Sequence, residues 1–183
     1  MKKYFVFISL AISIVCYSQE SSVDLEKVFR INALSPGLEL QLPINKKSTI
    51  AVNPGIGING SYNHLSYASS GVTYFISPFL DLSYKHLYNL SSRAAKGKNT
   101  SGNSGNYWGL RLLSNFEEIE SENIIRKDNI DFAFGPTWGI QRSTGHFHFL
   151  FDVGSVYYFD TKGNNGFFPI MLQLNIGWNL KKW

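Results

Sequence analysis

The sequence predicts an all-β fold, an antiparallel up-and-down transmembrane β-barrel of eight strands. Three observations carry this expectation. Apolar residues alternate with small polar ones along most of the chain. No segment beyond the N-terminus holds a convincing helical period, and the bulky face of the alternating stretches is rich in rings. The stretch "LQLNIGWNL" is the clearest case. In an extended strand Leu172, Leu174, Ile176, Trp178 and Leu180 share one face, and Gln173, Asn175, Gly177 and Asn179 share the other.

Residues 1–18 read as a secretory signal peptide and residues 19–183 as one domain. Lys2 and Lys3 form the positive start, Tyr4 to Val15 the apolar run, and Cys16 and Ser18 precede a cut before Gln19. A lipidated Cys16 would want a small residue before it, and Val15 stands there. With Cys16 lost, the mature chain has no disulfide and no thiol chemistry. Removing Lys2 and Lys3 leaves 15 basic against 13 acidic residues, so the basic pI is no argument for nucleic acid, and no such partner is expected.

The strands follow in order. Leu38, Leu40 and Leu42 oppose Glu39 and Gln41, and Ile50, Val52, Ile56 and Ile58 oppose Ala51, Asn53, Gly55, Gly57 and Asn59. Ile76, Leu80, Leu82 and Tyr84 face away from Ser77, Asp81, Ser83 and Lys85. Trp108, Leu110 and Leu112 oppose Gly109 and Arg111. Phe132, Phe134, Trp138 and Ile140 oppose Ala133, Gly135, Thr137, Gly139 and Gln141. Phe147, Phe149, Phe151 and Val153 oppose His148, Asp152 and Gly154. With the stretch 172–180 these make seven, whereas bacterial single-chain barrels have an even number. Residues 28–34, where Phe29, Ile31 and Ala33 alternate with Arg30 and Asn32, supply the eighth, with "SPG" at 35–37 as its hairpin or bend. "INKKS" (44–48) and "RSTGH" (142–146) read as periplasmic turns, and 61–71, 116–128 and 160–166 as external loops. Residues 89–105 form a long periplasmic connection in which "NLSSRAAKGKN" has room for a short turn of helix. Strands of about 9–11 residues are expected for a tilted crossing.

The face that meets solvent in a soluble sheet is usually rich in Lys, Glu and Thr. Here the polar face is mostly Gly, Asn, Ser, Ala and Gln, with Glu39, Asp81, Lys85, Arg111 and Asp152 thinly placed. That composition suits a narrow interior, where these five charges form a paired network that plugs the lumen. The apolar face then points to lipid. A secreted lipocalin-like binding barrel, with inside and outside exchanged, is the soluble alternative.

"FRINALSPGLELQLPINKKSTIAVNPGIG", "RAAKGKNTSGNSGNYWGL" and "GPTWGIQRSTGHFHFLFDVGSVYYF" resemble small outer-membrane β-barrel proteins of Bacteroidota, broadly similar to the OmpA and OmpX types. The resemblance runs from about Phe29 to Leu180 and implies an outer-membrane location and an eight-strand barrel, with no catalytic residues. Outer-membrane lipid, lipopolysaccharide and the barrel-assembly machinery are the expected partners, and a monomer is expected. Such barrels usually end on an aromatic residue in phase with the lipid-facing positions. Trp183 is aromatic but odd-numbered, whereas Leu172 to Leu180 face outward at even positions, so only a bulge in "LKKW" brings it into phase.

Little chemistry is legible. In "NHLSY" His64 lies two residues before Ser66, a spacing similar to the His-x-Ser of outer-membrane lipid A deacylases, and Glu117, Glu118, Glu120 and Glu122 are candidate acids for such a hydrolase. A solvated loop histidine is the plainer reading. His146 and His148 lack a further ligand for a metal, so no metal and no cofactor is expected. Arg93, Lys96 and Lys98 form the one basic cluster, suited to lipid phosphates or an anionic glycan. The acidic loop "NFEEIESENIIRKDN" suits a divalent ion among lipopolysaccharide neighbours, or plain solvation. The overall expectation is a non-enzymatic barrel with an envelope-structural or surface-interaction role.

Overall fold

The structure, a computed structural model, describes residues 23–60, 62 and 64–183; the expected signal peptide at 1–18 lies outside the described residues. Eight long or medium strands form a closed antiparallel ring. They are β1 (Val28–Asn32), β2 (Gly37–Pro43), β3 (Ser48–Asn59), β5 (Tyr74–Leu87), β6 (Gly105–Asn115), β9 (Asp131–Thr144), β10 (Phe147–Asp160) and β11 (Asn165–Lys182). Each pairs with its chain neighbour in the ring, and β1 pairs with β11 to close it. Three short strands lie in the loops of one end: β4 (Ser66–Ala68), β7 (Glu120–Glu122) and β8 (Ile124–Arg126). β4 pairs with β8, and β7 extends β5. Among the described residues one short α-helix, α1 (Leu90–Ala95), lies at the other end, within the stretch where a helical turn is expected. The end holding Val28 and Lys182 is called lower here, and the end with the short strands upper.

The eighth strand expected over 28–34 is present as β1, and "SPG" forms its turn into β2. The expected uniform strand length is not. β1 and β2 have 5 and 7 residues, whereas β11 has 18. The reason is local: Pro36 has no N–H to give a ladder, and the chain turns at 33–36 well below the top of β3 and β11.

Alternation sorts the residues as the pleat demands, and the apolar set lies outside the ring. Ile31, Leu38, Ile50, Val52, Leu110, Phe134, Trp138, Leu172, Leu174 and Trp178 are all exposed. Arg30, Asn32, Glu39, Gln41, Asp81, Lys85, Gln141, His148, Asp152 and Asn175 are all buried inside it. The register of β1 on β11 shifts between Phe29, which faces Lys181, and Arg30, which faces Asn179. Leu180 is therefore the extra residue of a bulge, and the phase changes beyond it. Lys182 turns in, its Nζ donating to Gly145 O at 2.8 Å, while Trp183 exchanges backbone hydrogen bonds with Lys27 and is 52% exposed. The bulge on which Trp183's outward phase depends is present.

Both mouths are stoppered. Below, Leu87, Leu90 and Tyr107 pack with Val23 and Leu25. Asn103, held at φ 59, accepts from Glu26 N and donates to Glu26 O, pinning residues 23–27 under the ring. Above, Leu65, Ala133, Val156 and Tyr158 form an apolar cluster with Tyr62, Leu113 and Met171. The ring is drawn tight at Gly135, where a Cβ would lie 1.9 Å from the Ser155 carbonyl oxygen. Gly135→Val must push β9 off β10, and it should cost about 1–3 kcal/mol in the midpoint of a denaturant titration; a value near zero would mean that the two backbones are not this close.

Candidate functional site

The interior holds a set of buried polar and charged side chains that runs from the lower end to mid-height. Arg30, fully buried on β1, donates from Nη1 to Glu39 Oε1 on β2 at 3.3 Å and from Nη2 to Gln41 Oε1 at 2.7 Å. The same Nη1 reaches His148 Nε2 on β10 at 2.7 Å. A guanidinium only donates, so Nε2 accepts, the imidazole is neutral, and its Nδ1–H donates to Ser143 Oγ at 3.1 Å. Glu39 Oε2 accepts from Asn32 Nδ2, and Lys85 on β5 stands 3.9 Å from Oε1. Lys85 also lies 5.3 Å from the centre of the Tyr107 ring, whose hydroxyl donates to Asp152 Oδ2 at 2.7 Å. Arg111 grips Asp81 with Nε and Nη2, the shortest bond being 2.8 Å.

The five residues expected to line the lumen, Glu39, Asp81, Lys85, Arg111 and Asp152, do so, all bordering one small polar cavity. Arg30, Tyr107 and His148 complete the network and are not among the expected five. Arg30 balances the set, giving three cations to three carboxylates. Charges removed from water need this pairing, because an isolated buried ion costs several kcal/mol. Chemically the arrangement is a neutral, cross-linked plug. Ser143, the serine bonded to its histidine, accepts from Nδ1–H, so that nitrogen already carries a proton and takes none from the hydroxyl.

The loop residues singled out for chemistry are engaged elsewhere. His64 Nδ1 lies 2.6 Å from the Tyr158 hydroxyl, and the buried Ser66 Oγ donates to Tyr62 O at 3.5 Å. Among the described residues no hydrogen bond joins His64 to Ser66. Glu118, one of the four candidate acids, pairs with Arg126 at 2.9 Å, and among the described residues no hydrogen bond or ion pair joins Glu117, Glu120 or Glu122 to His64 or Ser66. His146 stacks outside on Trp178, with ring planes 4° apart, while His148 is buried inside, so the two do not converge. No group of three or more His, Cys, Asp or Glu suited to a metal occurs among the described residues. Arg93 donates to Asn99 O, and Lys96 and Lys98 are exposed at the lower end.

The upper loops are tied to the ring and to one another. Arg126, nearly buried on β8, donates to Asp131 Oδ2 at 2.7 Å and to Phe116 O at 2.6 Å, and lies 4.7 Å from the Phe75 ring centre. Lys127 Nζ donates to His64 O, and Lys162 Nζ to Lys127 O. Asp128 Oδ2 accepts from both the hydroxyl and the backbone N–H of Thr161. The Thr161 hydroxyl chiefly, with the N–H groups of Asn129 and Thr161 and the charge of Lys162, holds the Asp128 carboxyl below its usual range.

With this geometry in hand, comparison of the chain with protein-family models, curated proteins and solved structures gives no match. The class that the fold defines is an eight-strand antiparallel ring with a plugged polar interior and an apolar exterior.

Two outcomes follow. Arg111→Leu strands Asp81 and should cost about 3–5 kcal/mol of stability, most of it recovered in the Arg111→Leu/Asp81→Leu pair, as read by denaturant titration. A depressed carboxylate stabilises above its unfolded-state pKa, about 3.9, and that contribution fades as pH falls through the lower folded-state value. Proteolysis within 116–130 should therefore quicken on acidification below about pH 4, and Asp128→Asn should be cut readily at every pH.

Proposed function

We propose that the ring is a transmembrane β-barrel of the outer membrane, a non-enzymatic protein with an envelope-structural or surface-interaction role. The observation that carries this reading is the inverted partition of side chains. Ile, Leu, Phe and Trp form a continuous outer belt, with Leu172 64% and Trp178 55% exposed, while the charged network is sealed within. Water-soluble monomers rarely expose a contiguous apolar patch beyond a few hundred Å². In hydrocarbon the same belt is satisfied, and a closed strand ring keeps its backbone hydrogen bonds to itself. Trp108, Trp138 and Trp178 suit the lower interface, where an amphipathic ring has one wet edge; Trp138 Nε1 donates to the Tyr88 hydroxyl there at 3.0 Å.

The plugged interior argues against a pore, and the bond of His64 to Tyr158, with none to Ser66 among the described residues, does not favour a deacylase. The interlocked upper loops, rich in Glu117, Glu120, Glu122 and Asp128, offer a firm acidic platform at the external end. A lipocalin-like binder would need an apolar cavity, whereas the lumen is lined by charge.

The test is to express the full chain with its N-terminal segment, isolate the outer-membrane fraction and run it on SDS gels with and without boiling. A membrane-bound band that migrates faster unboiled is expected. Recovery in the soluble fraction with no heat shift would overturn the reading. Lipid A from cells with and without the protein should give identical mass spectra; a change in acyl number would restore the enzyme.

A further inference from the structure

The two ends of the ring carry exposed charge of opposite sign. Above, Glu117, Glu120 and Glu122 are exposed, and none makes an ion pair among the described residues. Below, the same holds of Lys27, Lys46, Lys96, Lys98 and Lys181. The carboxylates near these lysines in the chain do not neutralise them. Glu26 turns under the plug, where Oε2 accepts from Gly102 N at 3.0 Å, and the exposed Asp24 forms no ion pair with any of them.

Three of the lysines stand on the rim itself, on neighbouring strands. Lys181 is paired with Phe29 and shares its outward face, while Val28 and Lys182 beside them turn in. Its Nζ lies 5.0 Å from the centre of the exposed Trp183 ring. Lys27, one residue before the inward Val28, exchanges backbone hydrogen bonds with Trp183. Lys46 lies in the turn between β2 and β3, beside the exposed Ile44. Because β1 joins β2 to β11, Lys46, Lys27 and Lys181 form one arc along the lower edge of the apolar belt. Indole rings mark the headgroup level of a bilayer, and a lysine stem lies along apolar surface while its ammonium reaches the wet side. Just beyond Trp178, the arc sets three ammonium groups at the height of lipid phosphates.

We propose that this arc gathers anionic phospholipid, a diacyl phosphodiester of net negative charge, from the leaflet that the lower rim faces. The inference rests on the membrane reading above. The ammonium groups of Lys46, Lys27 and Lys181 donate to phosphate oxygens, and the acyl chains run upward over the exposed Leu38, Ile31 and Leu180 on the same three strands. Headgroup and chains thus meet the cations and the belt in the order in which a lipid carries them. An anionic headgroup gains most, because a zwitterionic one carries its own ammonium against its phosphate. A phosphate at the opposite rim would meet Glu117, Glu120 and Glu122 instead, so the pattern of charge assigns the lipid to the lower end.

The experiment is to reconstitute the heat-modifiable protein in phosphatidylcholine vesicles with a trace of nitroxide-labelled phosphatidylglycerol or phosphatidylcholine. Electron paramagnetic resonance then reads the fraction of label held at the barrel surface. Phosphatidylglycerol should be held about fivefold more strongly, the factor of one ammonium near an anionic headgroup, and the preference should vanish in about 1 M salt. Lys27→Gln/Lys46→Gln/Lys181→Gln should hold the two lipids alike, with the heat shift kept. Lys96→Gln/Lys98→Gln should keep the preference, since these lysines lie off the arc, next to Asn99, which is tied to Ser143 on β9. Should the triple variant lose its heat shift, Lys46→Gln alone, in an exposed turn, should still lower the preference. Equal hold on both lipids by the unmodified protein, an unchanged preference in the arc variants, or displacement of phosphatidylglycerol by lipopolysaccharide or an acidic polypeptide would overturn the inference. A heat-modifiable barrel without lipid preference sinks this inference alone, whereas absence of the heat shift from the unmodified protein sinks the membrane reading beneath it.

Discussion

The guanidinium of Arg30 is the constraint on which the ring depends. It is fully buried, and its three partners lie on two other strands, Glu39 and Gln41 on β2 and His148 on β10. β1 is the strand that joins β2 to β11, so this one cation sits where the ring closes. A slip of β1 by one residue would turn Arg30 outward and bring Phe29 or Ile31 into the network, leaving Glu39 facing an apolar side chain. The cost of burying charge therefore acts as a register lock. Each strand in the network is held in phase by what its charged residue would lose if displaced.

The network needs room, and small residues provide it. Tyr107 reaches Asp152 because Gly139 lies between them; a Cβ at Gly139 would stand 2.9 Å from the tyrosine ring and 2.5 Å from Asp152 Cβ. The sparse, small polar face is the complement of a few long charged side chains that cross the lumen. Outside, side chains have no facing wall to meet, so bulk is unrestricted and rings are tolerated.

Much of this was legible in the sequence, because period-two alternation reports directly which residues share a face. The strands, the inward position of Glu39, Asp81, Lys85, Arg111 and Asp152, and the dependence of Trp183 on a bulge all follow from parity. Partnership across the lumen does not. Arg30 reads as a polar-face residue of a weak strand, and only closure of the ring brings it to His148, more than a hundred residues along the chain. The early turn at 33–36 hides behind a Pro-Gly pair that marks a bend without stating its height. His64 and Ser66 show the opposite limit: their spacing is local, but the histidine's hydrogen bond is to Tyr158 on β10. The pairing of β4 with β8 has no local signal either, since three-residue strands in polar loops lack a period to read.

The seam between β1 and β11 couples Val28 to Lys182, and the lower plug is trapped beneath it. Such a contact gives nothing back until most of the chain is already in place, so closure comes late and carries a large entropic cost. A half-built ring would leave a polar group unpaired in its trough, with His148 lacking its donor Arg30. Partial opening is penalised in the same way. The outcome is a molecule with few stable intermediates on either side of the closing step, slow to come apart once shut, whose persistence is a matter of rate as much as of equilibrium.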